Sequence, residues 1–174
     1  MIKLEPFGMA DFDRFILWIG NKELLIQIAG TYFSYPLTSK QLQNYLNDNN
    51  SFAFNIVETL SNSVIGHAEI IPGDNKVCKL DKVLIGDEAN RGKGIGRQVV
   101  NLLLAFSFEN LEAEKVELNV FDWNIGAIKS YERSGFIINY DKQMTMDVDG
   151  AIWTALNMVI DKEKWASLQN DKTN

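Results

Sequence analysis

Three glycines at alternate positions in Arg91-Gly92-Lys93-Gly94-Ile95-Gly96 stand between an alternating apolar run, Val77 to Ile85, and a run with apolar residues at helical spacing, Ile95, Val99, Leu102, Leu103 and Phe106. Strand, glycine loop and helix in that order make several backbone N–H groups converge at the positive end of a helix dipole. Glycine lets phosphate approach the main chain closely, and Arg91, Lys93 and Arg97 place three cations around that point. The segment reads as a pyrophosphate cradle; the same glycines also suit a loop that only shapes a turn. Spacing excludes two other phosphate loops. A Walker-type loop has four residues between its first glycine and the Gly-Lys pair, followed by Ser or Thr, whereas five separate Gly86 from Gly92 and Gly94 follows the lysine. A dinucleotide fingerprint needs glycine where Arg97 stands, and it opens its fold instead of lying at the middle.

On either side the hydrophobic period changes several times. A short strand, Ile2 to Leu4, is followed by helical spacing from Met9 to Ile19, by a helix that Asn21 caps and Gly30 ends, by a loop from Thr31 to Leu37, and by a third helix from Thr38 to about Asn47. From Ser51 the pattern alternates, with Phe52, Phe54 and Ile56 on one face, a turn at Leu60-Ser61-Asn62-Ser63, and a return strand from Val64 to Ile71 that aligns Ile65, His67, Glu69 and Ile71. Beyond the long helix come a strand from Val116 to Phe121 and a helix from Asn124 to Ser134 ended by a left-handed Gly135. Two strands, Phe136 to Tyr140 and Ala151 to Ile160, then flank a turn at Asp147-Val148-Asp149-Gly150. This order predicts an α+β fold, a mixed and mostly antiparallel sheet with helices on both faces.

At 174 residues, with no linker and 46% hydrophobic content, the chain is expected to form one domain over 1–174. The N-terminus lacks a signal peptide and no run approaches the ~18 apolar residues of a membrane span, so a cytoplasmic protein without a membrane partner is expected. A net charge of −6 argues against nucleic acid and suits a cationic substrate better. The single cysteine, Cys78, lies in an apolar alternation and reads as a small core residue; with one histidine, His67, it cannot supply a zinc site, and no metal is expected.

Taken together, Arg91-Gly92-Lys93-Gly94-Ile95-Gly96 resembles the R/Q-x-x-G-x-G/A acetyl-CoA loop of the GNAT superfamily of N-acetyltransferases, and Val83-Leu84-Ile85 resembles its splayed strand. Asn124-Ile125-Gly126-Ala127-Ile128-Lys129-Ser130-Tyr131-Glu132-Arg133-Ser134-Gly135-Phe136 is similar to the N-x-x-A-x-x-x-Y-x-x-x-G-F segment of the same family. The resemblance covers residues 64 to 136, with the RimJ/RimL-like branch as the nearest match. It implies a GNAT-like acyl-CoA N-acyltransferase fold with acceptor-side helices over about 9–48, a CoA-binding core over about 64–136 and a C-terminal hairpin over about 136–160. It also implies acetyl-CoA as cosubstrate, an amine-bearing acceptor as partner, and a monomer or homodimer. A non-catalytic acyl-CoA-binding or sensor domain is the second reading, and a phosphate-binding domain unrelated to CoA the third.

Asn124 and Tyr131 are seven residues apart, about two helical turns or ~10 Å, so they project from nearly one face with the small Ala127 between them. Spacing alone leaves Tyr131 free to pack beneath the sheet; the resemblance has it reach the CoA sulfur, with Asn124 bonding the amides of the cofactor arm and Ala127 leaving space. Aminolysis of a thioester needs a neutral amine, a stabilised oxyanion and a proton for the departing thiolate. Tyr131 is the candidate acid, since a phenol with pKa near ~10 stays protonated at neutral pH. The resemblance places the oxyanion against a backbone N–H among Val83, Leu84 and Ile85, and the diphosphate against Arg91, Gly92, Lys93, Gly94, Ile95, Gly96 and Arg97. For the base, Glu69 comes first and Asp81 second, acting directly or through water, and each also reads as an ion-paired strand carboxylate. His67 reads as a hydrogen-bonded structural histidine. By resemblance the amine enters beside Trp18, Tyr32, Phe33, Tyr35 and Trp153, each of which also suits a core.

Overall fold

Seven strands and six helices are present in a computed structural model that describes residues 1–48, 50–86, 90 and 92–170. The strands are β1 (Ile2–Pro6), β2 (Phe52–Glu58), β3 (Val64–Pro72), β4 (Val77–Ile85), β5 (Lys115–Phe121), β6 (Ile137–Val148) and β7 (Ala151–Asp161). The helices are α1 (Phe12–Trp18), α2 (Lys22–Ala29), α3 (Ser39–Leu46), α4 (Ile95–Ala105), α5 (Ile125–Arg133) and α6 (Lys162–Asn170). They build one mixed sheet in the order β1-β2-β3-β4-β5-β7-β6. The pairs β1–β2, β2–β3, β5–β7 and β6–β7 are antiparallel, while β4 and β5, joined through α4, are parallel. The fold class expected from the sequence is the one observed. No helix among the described residues is long and apolar enough to cross a membrane.

By internal contacts the chain resolves into two units, Met1–Ile71 with Asp81–Ile95, and Pro72–Leu80 with Gly96–Asn174. In the first, Phe7, Phe12, Phe15, Leu25, Leu42, Tyr45 and Leu84 belong to one buried cluster. The helices that cover it start and stop where their caps dictate. Asn21 Oδ1 accepts the Leu24 N–H at 2.8 Å, Gly30 closes α2 at φ 55°, and Thr38 Oγ1 accepts the Gln41 N–H at 3.3 Å. The Met9–Ile19 helix is shorter than its apolar spacing suggests. Asp11 turns its carboxylate back onto the Gly8 N–H at 2.9 Å, which leaves a tight turn over Met9–Asp11 before α1. Gly66 sits where β2, β3 and β4 crowd together: a Cβ there would lie 2.3 Å from the Leu84 carbonyl oxygen and 2.9 Å from Ile56 Cδ1.

In the second unit α4 buries Val99, Val100, Leu103 and Leu104, and a π-helical turn over Phe106–Asn110 extends it. Gly135 takes φ 97°, and a Cβ there would come within 2.5 Å of Leu168 on α6. Two features differ from the sequence reading. Strand β6 runs to Val148 instead of ending near Tyr140, because it pairs with β7 along an exposed edge that needs no apolar alternation, across an irregularity between Asn139 and Met144. The two-residue turn Asp149-Gly150, with φ of 52° and 86°, closes that hairpin. Helix α6 follows β7 directly. Trp165 and Leu168 are its half-buried apolar positions, Trp165 lying tilted beside Phe108 with ring centroids 5.1 Å apart, too few apolar positions to announce a helix in the sequence.

Candidate functional site

Gly92 and Gly94 adopt φ of 75° and 76°, and a side chain at either would meet nothing within 4 Å. Glycine is therefore required there by the left-handed backbone and not by crowding. Gly94 stands immediately before α4 and has no side chain with which to cap it, so the first-turn N–H groups of Ile95, Gly96 and Arg97 receive no side-chain cap from that residue. The side chains of Lys93 and Arg97 are exposed beside them. Arg91 lies outside the described residues. A Cβ on Gly96 would sit 3.6 Å from Ser130 Oγ, which brings the start of α4 against α5 one residue from Tyr131. This geometry fits the diphosphate of a nucleotide cofactor.

On α5, Asn124 is the N-cap and its Oδ1 accepts the Ala127 N–H at 3.3 Å. That bond uses one lone pair of the oxygen, which leaves the amide N–H groups available as donors. Tyr131 is half-buried, its ring 5.9 Å from that of Phe136 in an edge arrangement. Nearby in the same unit Trp153 packs edge-on against Phe121 at 5.0 Å and Trp123 at 5.2 Å.

Strand β4 pairs with β5 over Val77–Leu80, and that ladder stops there. Two residues on, Lys82 adopts φ 48°, a left-handed conformation inside a strand that costs roughly 1–3 kcal/mol for a non-glycine residue. Val83, Leu84 and Ile85 follow it, with Leu84 buried. The Lys82 side chain is buried, as are Cys78, Leu80 and Leu84 along β4. Its Nζ donates to Glu69 Oε2 at 2.5 Å and to Asp81 Oδ2 at 3.0 Å. Ser51 Oγ donates to the other Glu69 oxygen at 2.6 Å. The three aromatic rings of Tyr32, Tyr45 and Phe33 surround the ammonium, with centroids 4.2, 5.2 and 5.9 Å from Nζ. Burial pushes the Lys82 ammonium toward losing its proton, but Asp81 and Glu69 together outweigh it and hold its pKa above the ordinary value.

Glu69 and Asp81 are thus brought to one point, by a lysine that the sequence did not single out. Its signal was available: a lysine at an inward position of the Val77–Ile85 alternation has to be paired when the strand is buried. The two carboxylates differ in access, since the Glu69 side chain is 3% exposed and that of Asp81 21%. Of the expected acceptor-side aromatics, Phe33 is buried, Tyr32 and Tyr35 are 53% and 47% exposed, and Trp18 lies against Gly86, where a Cβ would overlap the indole. Cys78 is buried, and burial raises its thiol pKa.

Beneath this cluster, the Tyr45 hydroxyl and His67 Nε2 are hydrogen-bonded at 3.1 Å, with the Phe7 ring 4.6 Å from the imidazole. Burial, then the Glu69 carboxylate, drives the Tyr45 pKa far upward. Burial, then repulsion by Lys82, lowers that of His67 from 6.5 to about 3. The unfolded chain therefore binds a proton at His67 that the folded one refuses. The stabilising contribution is complete above pH 6.5 and is lost as pH falls from 6.5 toward about 3. Because His67 is the sole histidine, urea unfolding between pH 7 and 5, above the carboxylate range, should show stability falling at up to ~1.4 kcal/mol per pH unit. A flat profile there would mean that the imidazole is accessible to protons in the fold.

Comparison with known proteins identifies the family. The family model described as "Acetyltransferase (GNAT) family" matches residues 22–136, more than half of the chain. A spermidine N(1)-acetyltransferase of Vibrio cholerae is 30% identical over 129 residues, spanning 71% of this chain and 72% of the relative. Among solved structures, spermidine N-acetyltransferase from Vibrio cholerae in complex with CoA and spermine superposes with a TM-score of 0.80 at 22% identity, covering 95% of this chain and 98% of that one. A dodecameric structure of spermidine N-acetyltransferase from the same organism gives 0.75 at 20% identity, covering 94% and 95%. With a glycine loop at the head of α4, the α5 segment carrying Tyr131, and a family model spanning both, the chain belongs to the GNAT family and is an acetyl-CoA-dependent N-acetyltransferase that acts on amines.

Proposed function

We propose that the acceptor is a polycationic amine of the polyamine class, that it enters beside Tyr32, and that the protein works in the cytoplasm. The observation that carries this reading is the charge around the Tyr32 hydroxyl. Among the described residues, the charges that act on it most are Asp48, Glu69 and Asp81 against Lys82, so three carboxylates and one ammonium leave two formal negative charges beside a half-exposed aromatic ring. A multiply charged amine suits that surface better than a protein N-terminus does. The spermidine acetyltransferases among the relatives support the same class. They favour it over the RimJ/RimL-like branch, whose resemblance rested on two motifs common to the whole family. Assembly is open beyond a monomer or homodimer, since a Vibrio cholerae relative is dodecameric; light scattering reads it directly.

In this reading residues 1–174 carry one acetyltransferase domain. The main chain from Arg91 to Arg97, with Lys93 and Arg97, grips the CoA diphosphate, while Asn124 and Ala127 line the pantetheine arm. A backbone N–H among Val83 to Ile85 receives the oxyanion. The amine nitrogen attacks the thioester carbonyl, the C–S bond breaks, and the Tyr131 hydroxyl gives its proton to the sulfur. The nitrogen's surplus proton leaves through a carboxylate or through water. Asp81 suits this better than Glu69, because its side chain is 21% exposed and that of Glu69 only 3%. A thiol-release assay over spermidine, spermine, simple monoamines and N-terminal peptides should give kcat/KM for polyamines at least tenfold above the others. Preference for peptide N-termini would overturn the acceptor assignment.

A further inference from the structure

Lys82 combines two features that are each unfavourable alone. Its backbone is left-handed inside a strand, and its charged end is 1% exposed. Both serve to deliver one ammonium into a cage of Tyr32, Phe33 and Tyr45 closed by Glu69 and Asp81. Aromatic faces with converging carboxylates are what a foreign alkylammonium would need. We infer that this cage is a primary-ammonium site, that Lys82 is its resident cation, and that the lysine thereby keeps the amine of a cationic acceptor from lodging there. The cage stands on its own geometry; the role toward the acceptor rests on the reading that the acceptor enters beside Tyr32.

The consequence is a selection device. Were the inner position vacant, an acceptor amine would be held as an ammonium against Glu69, tightly bound and without a lone pair to attack. With Lys82 in place, Glu69 and Asp81 are both paired, and the outer side of Tyr32, 53% exposed, meets a charge that approaches from solvent. Lys82 acts through the occupancy of the cage and is a positioning residue, not a group that touches the reacting atoms.

The test is chemical rescue of Lys82→Ala in the full chain, with propylammonium chloride as the probe and 1-propanol and potassium chloride as controls. At a concentration tenfold above its Kd, propylammonium should raise the variant's Tm by about 3–6 °C, while leaving the parent, and a Lys82→Ala/Glu69→Gln double variant, unmoved. If the single variant does not fold alone, refolding should succeed with propylammonium and fail with either control. A variant that neither gains stability nor refolds with the amine overturns the cage. In turnover, Lys82→Ala should show KM for a polyamine and kcat both lowered severalfold, and propylammonium should return both toward parental values. A structural role would not give that reversal, so unchanged or unreversed kinetics beside a successful Tm rescue would overturn the selection role. The Tm measurement needs no acetyl transfer, so it stands or falls separately from the acceptor assignment.

Discussion

Tyr131→Phe should bind CoA as the parent does and lose about 10²–10⁴-fold in kcat, the range that removal of a general acid gives. The ring stays, so its edge contact with Phe136 and the half-buried position on α5 are preserved. What goes is the hydroxyl and the proton it carries. A thiolate leaving without protonation makes C–S cleavage the costly step, and the loss falls on kcat with KM little affected. Calorimetric titration with CoA and steady-state thiol release, measured on the same preparation, separate binding from chemistry. If the Phe variant turns over within threefold of the parent, Tyr131 is a packing residue and the proton comes from elsewhere.

Replacing Glu69 by Leu should cost about 3–5 kcal/mol of stability, the effect of removing one partner from a buried ion pair, and lower Tm by roughly 6–20 °C. The reason is desolvation. Lys82 is held away from water by three rings, and without Glu69 its charge keeps, among the described residues, Asp81 at 3.0 Å as its counter-ion. The Ser51 hydroxyl loses its acceptor as well. Glu69→Leu combined with Lys82→Met should recover most of the loss, because an apolar pair of similar volume no longer needs solvation. A single variant less than ~1 kcal/mol below the parent would mean that water reaches the pair. The comparison also bears on catalysis. Asp81→Asn should reduce turnover more than Glu69→Gln does, if Asp81 is the carboxylate that accepts the amine's proton.

Helix caps and left-handed glycines act within a few residues. The ends of α2 at Asn21 and Gly30, the start of α3 at Thr38 and the close of α5 at Gly135 were therefore readable from composition and spacing. Strand β4, Val77 to Ile85, lies where its alternation places it. The glycine loop was legible for the same local reason: its φ values demand glycine, so the residue type records the backbone. Elements whose stability comes from pairing partners were not legible. The far half of β6 exists because β7 lies beside it, and α6 because Phe108 and Gly135 receive it.

By itself the sequence determined the order of elements, the family motifs and the two candidate carboxylates, because each is written in residue types a fixed and short distance apart. Tertiary structure alone decided what those carboxylates do. Glu69, Asp81 and Lys82 come from two strands, Ser51 lies just before a third, and the three rings belong to the α2–α3 loop and α3. The protonation and access of each depend on distances in space that no spacing along the chain encodes. Desolvation, which ties Lys82 to Glu69 and leaves Asp81 reachable, exists only once the sheet and helices have closed around them.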